Sequence, residues 1–251
     1  MLDRLLVGYG RARGSEDALA LARMLASVSG GEVLVACHSD PSSGEHEVTL
    51  PPHEPYLRAR TPLILPGVPK AKALCRHAME QDADTVVLGA RAAHLPPGIG
   101  TAGRILTESP CAVAIAPRGF SERPIRWPTW VGLMVTGEDE GALRMLEPLG
   151  RSAVHRLHLF WTDREALEAV REGLADMGLD HLWISDERLE DESQLLEACR
   201  GLDLLVIGRP ETVDEHVLEL LGKCPSPLLV AEAPERRARR FVSRRSDAVT
   251  A

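Results

Sequence analysis

Short apolar runs alternate with amphipathic stretches along this chain. Leu5–Tyr9 is a compact apolar run followed by a turn rich in glycine and arginine, which predicts a buried strand. Ser15 then precedes Ala18, Leu19, Leu21, Ala22, Leu25 and Ala26, one apolar face of a helix that Ser15 or Glu16 would cap and Gly30-Gly31 would end. Val33–Cys37 predicts a second strand. Residues 39–61, rich in Pro, Ser, Glu and His, predict a surface loop, and Leu63-Ile64-Leu65 a short third strand. A helix is expected from Pro69 through Ala73, Leu74, Ala78 and Met79, then a strand at Thr85–Gly89. A loop with two prolines and two glycines leads to a helix near Gly103–Thr107 and a fifth strand at Ala112–Ala116. Continuous apolar strands separated by helices predict an α/β fold, a doubly wound parallel sheet covered on both faces.

The pattern then starts again. Trp130–Val135 matches the first strand, and Leu143, Leu146 and Leu149 mark the helix that follows. Leu157–Trp161, Leu182–Ile184, Leu204–Gly208 and Leu228–Ala231 supply four more strands. Gly8 corresponds to Gly132, Gly89 to Gly208 and Pro110 to Pro225, at offsets of 124, 119 and 115 residues, so loops shorten through the second copy. The sequence therefore predicts an internal duplication: one five-stranded unit at 1–119, a linker at 120–128 carrying Pro124 and Pro128, a second five-stranded unit at 129–234, and an Arg-rich, disordered tail at 235–251.

Composition narrows the partners. The 251 residues carry a net charge of −8, while the tail is locally basic through Arg236, Arg237, Arg239, Arg240, Arg244 and Arg245. The body is thus more acidic than the total, and an acidic surface does not wrap nucleic acid. No apolar run reaches the length of a membrane span, which predicts no membrane partner and a soluble, cytoplasmic protein. Five widely spaced cysteines without a CxxC pair predict buried thiols in a reducing compartment.

Ligands of doubly wound sheets bind at the carboxyl ends of the strands. In the first copy that places Gly89-Ala90-Arg91-Ala92-Ala93-His94-Leu95-Pro96-Pro97-Gly98-Ile99-Gly100-Thr101 ahead of a helix. Backbone N–H groups, the helix dipole and the Thr101 hydroxyl would hold a phosphate there, with charge-assisted contacts from Arg91 and His94. The spacing is neither a P-loop nor a dinucleotide fingerprint.

Together these features resemble a tandem universal stress protein, over about residues 4–118 and 129–233. The resemblance rests on Leu5–Tyr9 followed by Ser15-Glu16-Asp17-Ala18-Leu19, on Gly67-Val68-Pro69, on Ala83-Asp84-Thr85-Val86-Val87-Leu88-Gly89-Ala90-Arg91, and on Ser109-Pro110-Cys111-Ala112-Val113. Gly201–Arg209 and Cys224-Pro225-Ser226-Pro227 echo them in the second copy. It implies two Rossmann-like units of the adenine nucleotide alpha hydrolase-like kind, packed as an intrachain pseudo-dimer. It also implies a role in stress adaptation with ATP or another adenine nucleotide bound. Carried onto this sequence, the ligand position is bordered by Gly8 and Gly10 after the first strand and Cys37 after the second. Gly89, Arg91, His94, Gly98, Gly100 and Thr101 border it after the fourth.

The departures from the family pattern shape the functional expectation. ATP-binding members carry G-x2-G-x9-G-[S/T] after the fourth strand. Here Ala92 replaces the second glycine and seven residues separate it from Gly100-Thr101. Gly10 stands where those members keep an Asp, a loss of about 1–3 kcal/mol of ligand contact. In the second copy, Pro210-Glu211-Thr212-Val213-Asp214-Glu215 would repel a triphosphate. The expectation is a universal-stress-type regulatory protein, not an enzyme, that binds ATP, ADP or AMP with magnesium weakly and in the first unit only. The alternatives are a ligand-free interaction module with both sites decayed and, third, a slow ATP hydrolase. Its own second unit is the built-in partner, with a homodimer and an unidentified protein partner as further expectations.

Other polar clusters have simpler readings. His38, His46 and His53 with Glu45, Glu47 and Glu54 match no metal-ligand spacing and predict a solvated loop. Cys37 and His38 are adjacent in a strand and point to opposite faces, which argues against a thiolate–imidazole pair. Ser15, Glu16 and Asp17 read as helix capping, and Gly67-Val68-Pro69 as a turn into a helix. Trp127, Trp130, Trp161 and Trp183, all in the linker or second half, predict core or inter-domain packing, with adenine stacking by one of them as the alternative.

Overall fold

The apolar runs assemble into one sheet. A computed structural model of the chain describes residues 2–9, 14–37, 57–62, 70–89, 101–124, 126–137, 139–209 and 222–232. The strands are β1 (Arg4–Tyr9), β2 (Glu32–Cys37), β3 (Leu57–Pro62), β4 (Thr85–Gly89), β5 (Ala112–Ala116), β6 (Trp130–Met134), β7 (Arg156–Trp161), β8 (Trp183–Arg188), β9 (Leu204–Ile207) and β10 (Leu228–Val230). The helices are α1 (Gly14–Ser29), α2 (Lys70–Glu80), α3 (Thr101–Glu108), α4 (Glu140–Ser152), α5 (Arg164–Asp176) and α6 (Glu192–Ala198).

The strand order is β3-β2-β1-β4-β5-β10-β9-β6-β7-β8, a single ten-stranded sheet where the sequence predicts five strands in each half. From the central seam outward, the first side runs β5, β4, β1, β2, β3 and the other β10, β9, β6, β7, β8. All neighbours are parallel except at the seam, where β5 meets β10 antiparallel with Val113 opposite Val230, Ala114 opposite Leu229 and Ile115 opposite Leu228. Every residue of β5 and β10 is buried, because helices cover both faces there.

Two apolar layers sandwich the sheet. Residues of α1, α4 and α5 join Leu5, Val7, Val87, Leu133, Leu159 and Val206 in one layer. Residues of α2, α3 and α6 join Leu6, Val86, Val113, Phe160, Leu205 and Val230 in the other. In α1, alanines at 18, 20, 22 and 26 let the helix lie close to β1, β4 and β5. Cys75, Cys111, Cys199 and Cys224 are buried thiols, as the spacing predicts. Cys199 and Cys224 share a hydrogen bond that pushes the Cys199 thiol up, with burial adding to it, and holds Cys224 down against the opposing effect of burial.

The edges differ from expectation. The third strand is Leu57–Pro62, inside the stretch predicted to be loop, and Leu63–Leu65 lies outside the described residues. An edge strand bonds to one neighbour only, here β2, so Arg58, Arg60 and Pro62 are tolerated in it. At the opposite edge β8 continues beyond Ile184 through Ser185, Asp186, Glu187 and Arg188, for the same reason. Helices α5 and α6 add to those predicted.

The tryptophans are also placed differently. Trp183 is 62% and Trp127 58% exposed, and Trp130 and Trp161 are half-buried. Trp130 and Trp161 pack against the two apolar layers, as core packing predicts, whereas Trp183 in the edge strand and Trp127 in the linker stand largely in solvent.

Candidate functional site

The predicted ligand position is the carboxyl end of the first-half strands. Gly8 in β1, Cys37 closing β2 and Gly89 closing β4 reach that end on three neighbouring parallel strands, with Tyr9 in register with Cys37. Thr101 is the first residue of α3. Gly10, Arg91, His94, Gly98 and Gly100 lie outside the described residues, as do the His38, His46 and His53 cluster and the acidic run after Arg209.

The glycines at this end have packing reasons of their own. A Cβ on Gly89 would fall 1.8 Å from the carbonyl oxygen of Gly14, so the absent side chain is what lets the first turn of α1 rest on the end of β4. A Cβ on Gly8 would meet Leu74 of α2 at 3.0 Å. Beside them the Tyr9 hydroxyl donates to the Glu16 carboxylate, which closes β1 onto the first turn of α1.

Asp17 was expected to cap α1, but α1 already begins at Gly14 and the carboxylate reaches elsewhere. It is buried, and it accepts from the backbone N–H of Gly119 at 3.0 Å, the N–H of Ser121 at 2.8 Å and the Ser121 hydroxyl at 2.7 Å. The start of the predicted linker is therefore tied to α1. Its far end is held in the same way: the Asp203 carboxylate accepts from the N–H groups of Thr129 and Trp130, both at 2.9 Å.

At the carboxyl end of β6 the second half supplies its own anion. Asp139, buried at the head of α4, accepts from the N–H of Thr136 at 3.0 Å, the N–H of Gly137 at 2.9 Å and the Thr136 hydroxyl at 2.9 Å. These donors are thereby taken up by a carboxylate of the chain itself, which fixes the turn between β6 and α4.

Arg209 follows Gly208 just past the end of β9. Its guanidinium crosses the seam and donates to the carbonyls of Leu106 and, at 3.1 Å, Ser109 at the carboxyl end of α3. A cation there satisfies carbonyls that the helix leaves open and complements its dipole. Arg209→Ala is expected to cost about 2 kcal/mol, from two charge-assisted bonds lost in a half-buried site. Urea denaturation measures it, and an unchanged midpoint would assign the guanidinium to solvent.

Asp139 was not distinguished by sequence reasoning, Asp17 was read as a helix cap, and Asp203 and Arg209 entered only as part of the repeated motif. Each acts on backbone groups, and the one available signal was the repetition of Asp84-Thr85 as Asp203-Leu204. Among the described residues no group of three or more His, Cys, Asp and Glu side chains could hold a metal ion. No described helix is long and apolar enough to cross a membrane.

Comparison with known proteins gives a match at the level of structure. No family model matches the chain, and no curated protein matches it in sequence. A functionally unknown protein from Pseudomonas aeruginosa PAO1 superposes with a TM-score of 0.63 at 14% identity, over 94% of this chain and 95% of that one. A universal stress protein from Archaeoglobus fulgidus superposes with a TM-score of 0.61 at 10% identity, over 92% of this chain and 97% of that one. The likeness extends across both sides of the seam, and the chain has the α/β fold of the universal stress proteins.

Proposed function

We propose that this is a regulatory protein of the universal stress type, made of two units packed as an intrachain pseudo-dimer through β5 and β10. The observation that carries the reading is the strand order, identical from the seam outward on both sides, in a fold shared with a universal stress protein over nearly its whole length. In this reading the second unit is a built-in partner: Asp139 fills its helix start and Arg209 is committed to the seam. An adenine nucleotide, ATP, ADP or AMP with magnesium, is left the first unit alone, around Gly89, Gly100 and Thr101. Binding there changes stability or partner affinity without breaking a bond.

A ligand-free interaction module is the second reading, and Gly89 favours it. Its contact with Gly14 explains the glycine by packing, with no ligand.

Thermal melts with millimolar ATP, ADP and AMP plus magnesium, followed by calorimetric titration, separate the two. Nucleotide binding predicts a stabilisation of about 1–3 kcal/mol at ligand concentrations well above Kd, one site per chain, lost in Gly100→Val. No shift with any of the three nucleotides would leave the ligand-free reading standing. Magnesium-dependent phosphate release that disappears in Thr101→Ala would instead make the protein a hydrolase.

A further inference from the structure

The sheet ends at β8, which among the described residues pairs only with β7. The bonding pattern fixes what this edge offers. Trp183 donates its N–H to His155 of the preceding segment, and Leu189 donates to Trp161 of β7. Alternate residues of a strand bond to the same side, so Trp183, Ser185 and Glu187 turn their peptide groups toward β7. Ile184, Asp186 and Arg188 turn theirs to the open side.

Both faces of this edge carry a tryptophan stacked with an arginine. On one face Arg156 lies between two rings, 4.5 Å from the centroid of Trp183 and 5.8 Å from that of Trp130. On the other face Arg188 lies 5.9 Å from the centroid of Trp161. Of the acidic side chains beside them, Asp186 is hydrogen-bonded, whereas Glu187 is half-exposed and only approaches a histidine. Asp186 accepts from Arg171 at 2.5 Å and from the Trp161 indole at 3.0 Å, and Glu187 lies 3.5 Å from Nε2 of His158. Arg156 and Arg188 are exposed and have no carboxylate partner among the described residues. The edge thus presents free backbone donors and acceptors, exposed aromatic surface and two unneutralised cations, on a protein whose net charge is −8.

We propose that β8 is a docking edge that takes up an extended acidic segment of a partner protein as an eleventh strand. Backbone pairing supplies the register, and Trp and Arg are the residue types that carry most of the energy in protein contacts. Trp183 and Arg188 are five positions apart and on opposite faces of the strand. The incoming segment therefore carries two carboxylates five positions apart, one for Arg156 beside Trp183 and one for Arg188. His158 Nδ1 and Ser185 Oγ, 2.7 Å apart, join β8 to β7 beside the backbone ladder, which orders the edge before the partner arrives.

The test uses the full chain and a capped, fluorescently labelled peptide, SDVTVTDS, whose two Asp have that spacing. Anisotropy should show saturable binding of one peptide per chain, weakened about tenfold or more in Arg156→Ala and in Arg188→Ala. Both side chains are exposed, and an unchanged melting temperature confirms that each variant is folded. The same peptide with Lys in place of both Asp, and a version N-methylated along one backbone edge, should not bind. Equal binding of the N-methylated peptide would overturn strand addition. Binding that survives both arginine variants would overturn the charge recognition. A chain that sediments as a dimer, becomes monomeric in Trp183→Ala and ignores the peptide would give the edge to a second copy and overturn the proposal. None of these outcomes depends on nucleotide binding.

Discussion

Gly89→Val will destabilise the protein by at least about 3 kcal/mol. The added Cβ would lie 1.8 Å from Gly14 O, 2.4 Å from its carbonyl carbon and 2.7 Å from its Cα, all backbone atoms of the first turn of α1. A flexible side chain could swing aside, but a helix start cannot. Relief requires α1 to lift from β4, and α1 carries Leu19, Leu21, Leu25 and other fully buried residues of one apolar layer. The cost is therefore overpacking plus loss of burial along a whole helix, beyond the 1–3 kcal/mol of a single crowded side chain. Urea denaturation read by circular dichroism measures it. Gly222→Val is the control: among the described residues nothing lies within 4 Å of its added Cβ, and it should stay within about 0.5 kcal/mol of the parent. Equal midpoints for the parent and Gly89→Val would show that α1 does not sit on β4. Loss of nucleotide binding in Gly89→Val, if seen, will not by itself place a ligand at this residue.

Asp17→Ala will cost about 3 kcal/mol and loosen the connection between the halves. Three donors converge on this buried carboxylate, two of them the backbone N–H groups of Gly119 and Ser121. Alanine removes three bonds to an ionised acceptor that is itself buried, although the donors of Gly119 and Ser121 are only part-buried. Asp17→Asn keeps one acceptor oxygen and should lose roughly half as much. The local effect is readable separately: Arg126 is exposed in the segment that Asp17 and Asp203 anchor, and trypsin should cut the Arg126–Trp127 bond faster in Asp17→Ala than in the parent. An unchanged cleavage rate would mean that the linker is held by other contacts.

The sequence was most readable where the sheet is most buried. Strands β1, β4, β5, β9 and β10 lie between helical layers, need apolar residues on both faces and so stand out as continuous runs. The two edges were harder. Arg58 and Arg60 interrupt the apolar pattern of β3, and Asp186, Glu187 and Arg188 that of β8, where solvent accepts charges that a central strand would reject. Trp183 departs from core packing for a related reason. Trp183 and Trp130 are matched with the aliphatic stem and guanidinium of Arg156, and a residue pattern does not reveal that pairing across β6, β7 and β8. At the candidate site, Gly8 and Gly89 were found because glycine at a strand end is conspicuous. The roles of Asp17, Asp139 and Asp203 were not, because an acid that binds peptide N–H groups looks in sequence like any surface acid.

The antiparallel seam has a consequence for how the protein is made. On a ribosome, β5 emerges with β4 available on one side, whereas its other neighbour, β10, is the last of the ten strands to be synthesised. Until then Val113, Ala114 and Ile115 form a bare apolar edge at what will become the centre of the sheet, open to pairing with another nascent chain. Closing the seam must also bring together segments far apart along the chain, a contact whose entropic cost slows folding. Translation speed and chaperone supply should accordingly govern the yield of this protein more than the stability of its finished core.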